Sequence, residues 1–361
     1  MLTDCYLPRL GGIEVQVHDL SRRLVQRGHH VEVFTITPGS ADYGETEQLD
    51  GITVHRFGVA LPSNLLVNPF AVPHLRSRLV GFDVAHIHMG VISPFATDAA
   101  ALTRRIGLPA AMTWHCVLDK AEPVVRAFGQ VRRWALGGMA MNAVSDVAAE
   151  PLRRITGTRV SVLPNGIDAD AWRVSRPLLQ DGTMRYVSAM RLERRKRPVQ
   201  LIEMMARVRA AAPRADVRLE IFGEGSERAK VERAIAKVGG AGWVTLSGRV
   251  PRESLKQRYA GSDVYVSPTI LESFGIAALE ARCAGLPVVG RSESGISEFV
   301  TDEVNGFLVD SDAEFVRRLT ALAIHPSVRA RMTAWNVQHP PAQSWPNVID
   351  VAESEYRRAI G

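Results

Sequence analysis

The chain has little cysteine and no long apolar run, and each shortage excludes a class of protein. Its three cysteines, Cys5, Cys116 and Cys283, lie far apart without the spacing of a disulfide framework or a zinc site. No apolar stretch approaches the roughly 20 residues that span a bilayer, and the start lacks the basic and then apolar order of a secretory signal. We therefore expect a protein of the reducing cytoplasm.

Aromatic residues are also few, at 6%, and no nucleic-acid recognition motif is present, so the pI near 9.5 does not indicate a nucleic-acid partner. The net charge of +6 lies in the C-terminal part of the chain. Residues 1–170 hold 16 of the 44 basic and 16 of the 38 acidic residues, which leaves 28 and 22 for the rest. This surplus favours an anionic ligand there, although a solvated basic surface would give the same count.

Strand and helix patterns alternate along the chain in two series. Apolar residues at helical spacing, from Ile13 to Leu24, are followed by Gly28 and then by an apolar strand that ends at Ile36. Such alternation is typical of parallel sheets with crossover helices, which bind ligands at the carboxyl ends of their strands. The sequence predicts an α/β protein of two doubly wound, Rossmann-like lobes that face each other across a cleft.

The predicted domain bounds follow from this alternation and from composition. We place the first domain at residues 1–168 and a linker at 169–182, because that stretch is polar and carries proline and glycine. The second domain takes residues 183–338, and a C-terminal helix within 339–361 returns to the first. Only "MLT" precedes the first loop, too little for a central strand, so we expect a truncated first strand and a natural start upstream.

The stretch "LESFGIAALEARCAGLPVV" sets Glu272 and Glu280 at two points of an apolar segment. If Ser273 and Gly275 begin a helix, its free amides would hold phosphate, and Gly275 would let the anion come close. A continuous helix would separate the two acids by about 12 Å, more than the roughly 5–9.5 Å of hydrolytic carboxylate pairs. We interpret them as gripping the two ends of one long ligand, with a diphosphate between them.

Two further clusters carry chemistry in the second half. In "SAMRLERRKRP", Arg191 and Lys196 follow a predicted strand, where they would hold a diphosphate and stabilise it as a leaving group. Taken alone, such a basic loop is more often simply solvated. Gly223, in "IFGEGS", is a weak glycine-turn signal.

In the first half, Gly12 in "RLGGIEVQV" begins a predicted helix, which is again a place for a close anion or sugar. His115 in "MTWHC" lies at the carboxyl end of a strand, and His88 in "AHIHMG" ends another. A single histidine after a strand is more often structural than catalytic, so neither assigns a role by itself.

Taken in order, these motifs resemble the family 4 glycosyltransferases, a retaining, two-lobed (GT-B) group that includes actinobacterial mannosyltransferases. The resemblance runs through nearly the whole chain, in "PRLGG", "NAVS", "VLPNGID", "RLERRK", "FGEG", "SGRV", "SPTILESFGIAALEA" and "NGFLV". The two acids with seven residues between them are its most specific part. Among its departures from the family, Arg197 stands where glycine is common, and Ser294 and Ser297 stand where glycine and proline often occur.

The resemblance implies a role for each candidate residue. The implied sugar-contacting and catalytic residues are His115, Glu272, Arg191 and Lys196, the last two on the donor diphosphate. The implied donor-binding residues are Gly12, Gly223, Arg249 and Val250 near the nucleobase, Ser273, Phe274, Gly275 and Ile276 near the phosphates, and Glu280 on the ribose. No metal and no cofactor are expected beyond the nucleotide-diphosphate sugar, because the absence of an Asp-x-Asp metal site suggests that basic residues replace a divalent ion.

The implied reaction moves a hexose, with retention, from GDP-mannose or UDP-glucose to a hydroxyl of a lipid or glycan of the cell envelope. The departing diphosphate would take part in removing the acceptor's proton, so no carboxylate nucleophile is required. A sugar-nucleotide epimerase of the same fold remains an alternative, as does a two-lobed solute-binding protein, although the latter should carry an export signal.

Arginines mixed with large apolar side chains in the first half suggest peripheral contact with anionic lipid at the inner face of the plasma membrane. The stretches are "NPFAVPHLRSRLV" and "EPVVRAFGQVRRWALGG", with Arg76, Arg78, Arg132 and Trp134 as the candidates. Ordinary helices that solvate their arginines would show the same pattern.

Overall fold

A computed structural model describes residues 1–9, 11–38, 45–58, 71–175 and 182–361. It divides the chain into two compact units, the first made of Met1–Gly166 with Gln343–Gly361 and the second of Ile167–Ala342. Each unit contains a largely parallel β-sheet flanked by helices, which confirms the predicted fold class of two Rossmann-like lobes.

The sheet of the first unit has eight strands in the described part of the chain. They are β1 (Leu2–Thr3), β2 (Glu32–Thr35), β3 (Thr46–Leu49), β4 (Ile52–Arg56), β5 (Ala85–Met89), β6 (Ala110–Trp114), β7 (Ala140–Ala143) and β8 (Ser161–Val162). The order is β3-β4-β2-β1-β5-β6-β7-β8, and neighbours are parallel except for β3 and β4. The antiparallel edge strand β3 was not predicted from the sequence.

Strand β1 lies at the centre of this sheet although it has only two residues. Leu2 pairs with Phe34 on one side and with Ile87 on the other. The Met1 carbonyl accepts a hydrogen bond from the Phe34 amide at 2.8 Å, and the Leu2 side chain is fully buried. The expectation that this segment is too short for a central position is therefore wrong, because partners on both sides satisfy its backbone.

Helices pack on both faces of the first sheet. They are α1 (Gly12–Gln26), α2 (Ala71–Arg78), α3 (Pro94–Ile106), α4 (Glu122–Phe128), α5 (Gln130–Leu136), α6 (Asp146–Thr156) and, from the end of the chain, α14 (Trp345–Ile360). The segment 122–137, whose pattern predicts one continuous helix, forms two helices, because Gly129 adopts a left-handed conformation with φ of 63° and ends α4.

The C-terminal helix α14 completes the core of the first unit. Trp345, Val348 and Ile349 pack with Leu20 and Leu24 of α1. Polar contacts add to this packing, since the Tyr356 hydroxyl lies 2.9 Å from Nδ1 of His86 on β5. A helix that begins more than 300 residues after the end of α1 therefore buries the face of α1 that the sheet leaves uncovered.

The second unit has a fully parallel sheet among its described residues. Its strands are β9 (Thr183–Ala189), β10 (Asp216–Phe222), β11 (Val244–Gly248), β12 (Val264–Val266), β13 (Val288–Arg291) and β14 (Gly306–Val309), in the order β11-β10-β9-β12-β13-β14. Its helices are α7 (Ala169–Trp172), α8 (Pro198–Ala211), α9 (Arg228–Lys237), α10 (Arg252–Ala260), α11 (Ile276–Cys283), α12 (Asp312–Ile324) and α13 (Pro326–Gln338).

The start of the predicted linker belongs to the second unit. Trp172 on α7 is only 3% exposed, and its ring lies 5.9 Å from that of Tyr259 on α10. Asp168 caps α7 by accepting the Ala171 amide at 3.1 Å. Polar composition suggested a linker, but a cap and one buried tryptophan attach these residues to the unit. Residues 176–181 of the linker lie outside the described residues.

In each sheet the strand order reverses beside the first strand in sequence. In the second unit the reversal falls between β9 and β12, which pair in parallel through Tyr186 and Val264. In the first unit it falls between β1 and β5. Loops that leave two such strands diverge to opposite faces of the sheet, so a crevice opens between them at the carboxyl edge.

Candidate active site

The basic loop and the acidic turn of the second unit meet at this carboxyl edge. Lys196 lies in a short 3-10 turn after β9, and Glu272 lies in the segment after the adjacent strand β12. Nζ of Lys196 donates a hydrogen bond to Oε2 of Glu272. The two side chains are only 14% and 15% exposed. Two motifs that are 76 residues apart in sequence therefore form one partly buried ion pair.

The helix after Glu272 begins later than predicted. Gly275 is its N-cap with φ of 91°, and the first helical residue is Ile276, so Ser273 lies in the preceding turn. The separation of about 12 Å expected between Glu272 and Glu280 assumed a continuous helix, and that assumption is wrong. The amides of Ile276 and the next residue still form a free helix start, which is a suitable place for an anion.

Gly275 is required at this helix start by conformation and by space. Its φ lies in the left-handed region, and a Cβ built on it would stand 2.9 Å from Cγ1 of Ile296. The side chain of Phe274, just before it, is 1% exposed and lies against Phe299, with ring centroids 5.6 Å apart. Phe274 was predicted to bind the donor, but its buried side chain is inaccessible to a ligand, so it could contact the donor only through its backbone.

Glu280 is buried inside the second unit and forms an ion pair with Arg252. Its Oε1 is 3.0 Å from Nη2 of Arg252, at the start of α10. The Arg252 guanidinium lies 5.0 Å from the centre of the Trp172 ring. Burial raises the pKa of Glu280 to about 7, and Arg252 opposes that rise. Arg252 and Trp172 were not among the predicted site residues, since only the fold brings α7, α10 and α11 together.

The glycine turn after β10 supports the basic loop. Gly223 has φ of 127°, and a Cβ on it would lie 1.9 Å from the carbonyl oxygen of Met190. The Leu192 amide donates to the Glu224 carbonyl at 2.9 Å, so the two loops are joined on both sides of Arg191. Arg191 itself is exposed. The turn after β11, with Arg249 exposed and Val250 half-buried, follows the next strand at the same edge.

The candidates in the first unit also follow strands. Gly12 is the exposed first residue of α1, which follows β1, and the N-cap Gly11 is extended. His115 follows β6 and is partly exposed, and its Nε2 lies 3.0 Å from Nδ1 of His88 on β5. His88 is 3% exposed and His86 is likewise buried. Burial lowers the pKa of His115 to about 4, so its ring is neutral near pH 7.

Asp-x-Asp spacings do occur in the chain, at Asp168 and Asp170 and at Asp310 and Asp312, contrary to the sequence interpretation. The Asp312 carboxylate pairs with Arg197 at 2.7 Å. Asp168 caps α7, and Asp170 is 84% exposed on its side chain and pairs with Arg173 at 3.3 Å. Within the described residues, no group of three or more histidine, cysteine or carboxylate side chains is arranged to hold a metal ion.

The residues predicted to contact lipid differ in how far they are buried. Trp134 is only 4% exposed, so it cannot rest on a membrane, and that part of the expectation is wrong. Arg76, Arg78 and Arg132 are exposed, whereas residues 68–70 of the same predicted stretch lie outside the described residues. Among the described helices, none combines the length and apolarity that a bilayer crossing requires.

Comparison with known proteins agrees with this arrangement. Residues 10–171 match the family described as Glycosyltransferase Family 4, and residues 174–335 match the one described as Glycosyl transferases group 1. The chain belongs to the family 4 glycosyltransferases, with the GT-B fold. This glycosyltransferase is 26% identical to the D-inositol 3-phosphate glycosyltransferase of Thermobifida fusca, over 97% of the chain and 89% of the relative. It is 28% identical to the protein of the same name from Kribbella flavida, over 97% and 91%.

Solved structures share the fold of this glycosyltransferase. The crystal structure of Anabaena HepE in complex with UDP and glucose superposes with a TM-score of 0.75 at 18% identity, covering 98% of this chain and 99% of that one. The sucrose-phosphate synthase from Thermosynechococcus elongatus gives a TM-score of 0.76 at 18% identity, covering 99% and 95%. At such identities the likeness concerns the fold alone.

Proposed function

We propose that this glycosyltransferase moves a hexose, with retention of configuration, from a nucleotide-diphosphate sugar to a hydroxyl acceptor. The observation that carries the proposal is the Lys196–Glu272 ion pair at the reversal point of the second sheet. It sets a cation for a diphosphate beside a carboxylate for a sugar, next to the free amides that start α11.

In this proposal, different residues of the second unit contact different parts of the donor. Lys196 and Arg191 neutralise the diphosphate and stabilise its charge as it leaves. Glu272, released from part of its contact with Lys196, accepts hydrogen bonds from hydroxyls of the sugar. Glu280 accepts from the ribose, with Arg252 beside it to favour the ionised carboxylate. Arg249 and Val250 meet the nucleobase, and Gly223 holds the basic loop in position.

The reaction requires no protein nucleophile in this scheme. The departing diphosphate oxygen takes the acceptor's proton on the same face of the sugar, as the anomeric bond to that oxygen breaks and the bond to the acceptor oxygen forms. The family resemblance assigns His115 to the transferred sugar and Gly12 to the place where donor phosphate and acceptor meet. No divalent ion is needed if Arg191 and Lys196 carry the leaving-group charge.

The donor and acceptor are proposed as classes. UDP-glucose and GDP-mannose are the first donors to test; Anabaena HepE, which shares the fold, has been solved in complex with UDP and with UDP-glucose. A lipid or glycan hydroxyl of the cell envelope is the proposed acceptor. D-inositol 3-phosphate belongs in the same panel because the curated relatives carry its name.

Donor binding is tested by thermal shift with UDP-glucose, UDP-galactose, UDP-N-acetylglucosamine and GDP-mannose. A ligand at about 100 times its dissociation constant adds roughly 2.7 kcal/mol to the free energy of unfolding. We expect Lys196→Ala to abolish the shift, because the diphosphate loses a partly buried cation. His115→Ala should keep most of the shift and lose turnover.

Lys237→Ala is the matched control, since Lys237 is an exposed cation of the same unit. The donor-induced thermal shift of Lys237→Ala should equal that of the unsubstituted protein. Equal loss of the shift from Lys196→Ala and His115→Ala would show that the donor is assigned to the wrong unit. Product anomers resolved by NMR test retention, and donor consumption without any acceptor would favour the epimerase alternative.

A further inference from the structure

A row of three histidine rings runs along one face of β5 (Ala85–Met89), from His86 near the start of the strand to His115 beside its carboxyl end. His86 and His88 alternate on β5 and so share one face of the sheet, and their ring centroids are 4.1 Å apart. The His115 ring follows at 5.3 Å from that of His88. One hydrogen bond of 3.0 Å joins Nδ1 of His88 to Nε2 of His115. No role was assigned to His88 by the sequence motifs.

All three rings are uncharged near neutral pH. Burial and the neighbouring histidines lower the pKa of His86 and of His88 well below the ordinary value, and burial lowers that of His115 to about 4. A neutral imidazole carries one N–H, so the contact between His88 and His115 holds a single hydrogen. Either His88 donates to His115, or the reverse.

The environment of the second nitrogen of His88 decides between the two directions. Nε2 of His88 is enclosed and has no hydrogen-bond partner among the described residues. A hydrogen on Nε2 would leave a buried N–H without an acceptor, which is rare and costly, whereas a bare lone pair is tolerated better. A cavity of about 20 Å³ beside the row has room for one water molecule, but Nε2 is not exposed to it.

His86 is held in one orientation by its own partners. Its Nε2 lies 2.6 Å from the Thr113 hydroxyl, which itself donates to Oδ1 of Asn142, so Nε2 of His86 is the donor. Its Nδ1 then accepts from the Tyr356 hydroxyl at 2.9 Å. A ring fixed at both nitrogens gives His88 a rigid neighbour, with the two ring planes tilted by 35°, and this contact helps to hold His88 towards His115.

We propose that His88 is a positioning residue that donates from Nδ1 to Nε2 of His115 and thereby fixes His115 as its Nδ1–H tautomer. His115 then presents a hydrogen-bond donor to its ligand, and it cannot serve there as a base. This inference rests on the proposed function in so far as the ligand is the transferred sugar, whose hydroxyl oxygens accept hydrogen bonds. The tautomer itself is a property of the free protein.

The tautomer is read by long-range ¹H–¹⁵N correlation on histidine-labelled protein, with the His115 signals assigned by their loss in His115→Gln. In the unsubstituted protein we expect Nδ1 of His115 to give a protonated-type nitrogen shift and Nε2 an unprotonated one. His88→Leu removes the donor and should give a mixture or the Nε2–H form. Ile87→Val is the matched control on the same strand, and it should leave the tautomer unchanged.

An Nε2–H His115 in the unsubstituted protein would overturn the proposal, and so would a tautomer that His88→Leu leaves unaltered. These outcomes do not depend on activity. If no activated sugar is bound or turned over, the proposed function fails while the tautomer measurement still decides the role of His88.

Turnover provides the second arm of the test. With a donor found in the thermal-shift panel, His88→Leu should lower kcat roughly ten- to hundredfold, the loss typical of a misplaced reacting group, with little change in the donor KM. His88→Asn keeps an amide donor near the position of Nδ1 and should restore most of the rate. Equal impairment of the two variants, or a loss confined to KM, would contradict a donor role for His88.

Discussion

At the residue scale, Glu280 combines deep burial with an ion pair to Arg252. Burial raises its pKa from 4.5 to about 7. As the pH rises from about 4.5, the carboxyl ionises first in the unfolded chain and only near 7 in the folded one. Ionisation therefore costs stability over that window, and the cost is complete above pH 7 and absent below 4.5. A ribose that donates hydrogen bonds to the carboxylate would offset this cost.

Glu280→Gln should remove this pH dependence, because an amide does not titrate. The unfolding free energy of the variant, relative to the unsubstituted protein, should rise between pH 5 and pH 8, by on the order of 1.4 kcal/mol per unit of pKa shift removed. Urea denaturation at several pH values measures it. Glu253→Gln, at an exposed position of α10, is the control. Parallel stability curves for Glu280→Gln and the unsubstituted protein would contradict the prediction.

Arg197 shows how a side chain offsets an unfavourable backbone. Its φ is 58°, in the left-handed region, which explains why the family resemblance places glycine there. Its guanidinium forms two hydrogen bonds to the Asp312 carboxylate, at 2.9 and 2.7 Å, and one to the Pro268 carbonyl at 3.2 Å. These contacts tie the basic loop after β9 to the segment after β12 and to the start of α12, contacts that a glycine could not make.

At the element scale, the loops after β9 and β10 depend on close backbone approach. Gly223→Ala would place a methyl group 1.9 Å from the Met190 carbonyl, at a φ of 127° that alanine disfavours. We expect about 1–3 kcal/mol of lost stability and a weakened donor-induced thermal shift, because Arg191 follows Met190 directly. Urea unfolding and the shift assay measure both.

Gly242→Ala is the control for that substitution, since nothing lies within 4 Å of a Cβ built there. It should change stability by less than Gly223→Ala and leave the donor shift intact. If Gly223→Ala binds donor as the unsubstituted protein does, the glycine turn does not position the basic loop.

The helices and strands were predicted correctly where the hydrophobic periodicity and the flanking glycine or proline residues indicated the same boundaries. The parallel strands from β4 to β13 and the helix from Pro198 follow apolar patterns bounded by glycine or proline, whereas β14 was not predicted. The prediction failed where the cause was distant in sequence. Strand β1 is stable because both of its neighbours pair with it. Helix α7 is held in place because Trp172 packs against Tyr259. No local window of sequence contains those contacts.

At the scale of the whole molecule, the C-terminal helix links the stability of the first unit to the last residues of the chain. Deleting residues 343–361 would expose Leu20, Leu24 and Leu163 and remove Trp345 from the core. Burying each large apolar side chain contributes roughly 1.5–3 kcal/mol. We expect hydrogen exchange to accelerate in α1, β7 and β8, with β9 to β14 of the second unit unaffected.

Ile360→Ala is the matched control, because Ile360 is 55% exposed at the end of the same helix. It should leave exchange in α1 unchanged. Protection of α1 that survives the deletion would mean that α14 does not complete the core of the first unit.

The sequence by itself determined the fold class, the family and the types of residue at the site, because alternating apolar periods and the spaced motifs around Glu272 are local features. The tertiary structure decided which of them meet. It paired Lys196 with Glu272 across two adjacent strands, placed Arg252 beside Glu280, and removed Trp134 from the surface. It also joined His88 to His115. Such contacts join segments far apart in the chain, and only burial and strand order set the partner, charge and tautomer of each group.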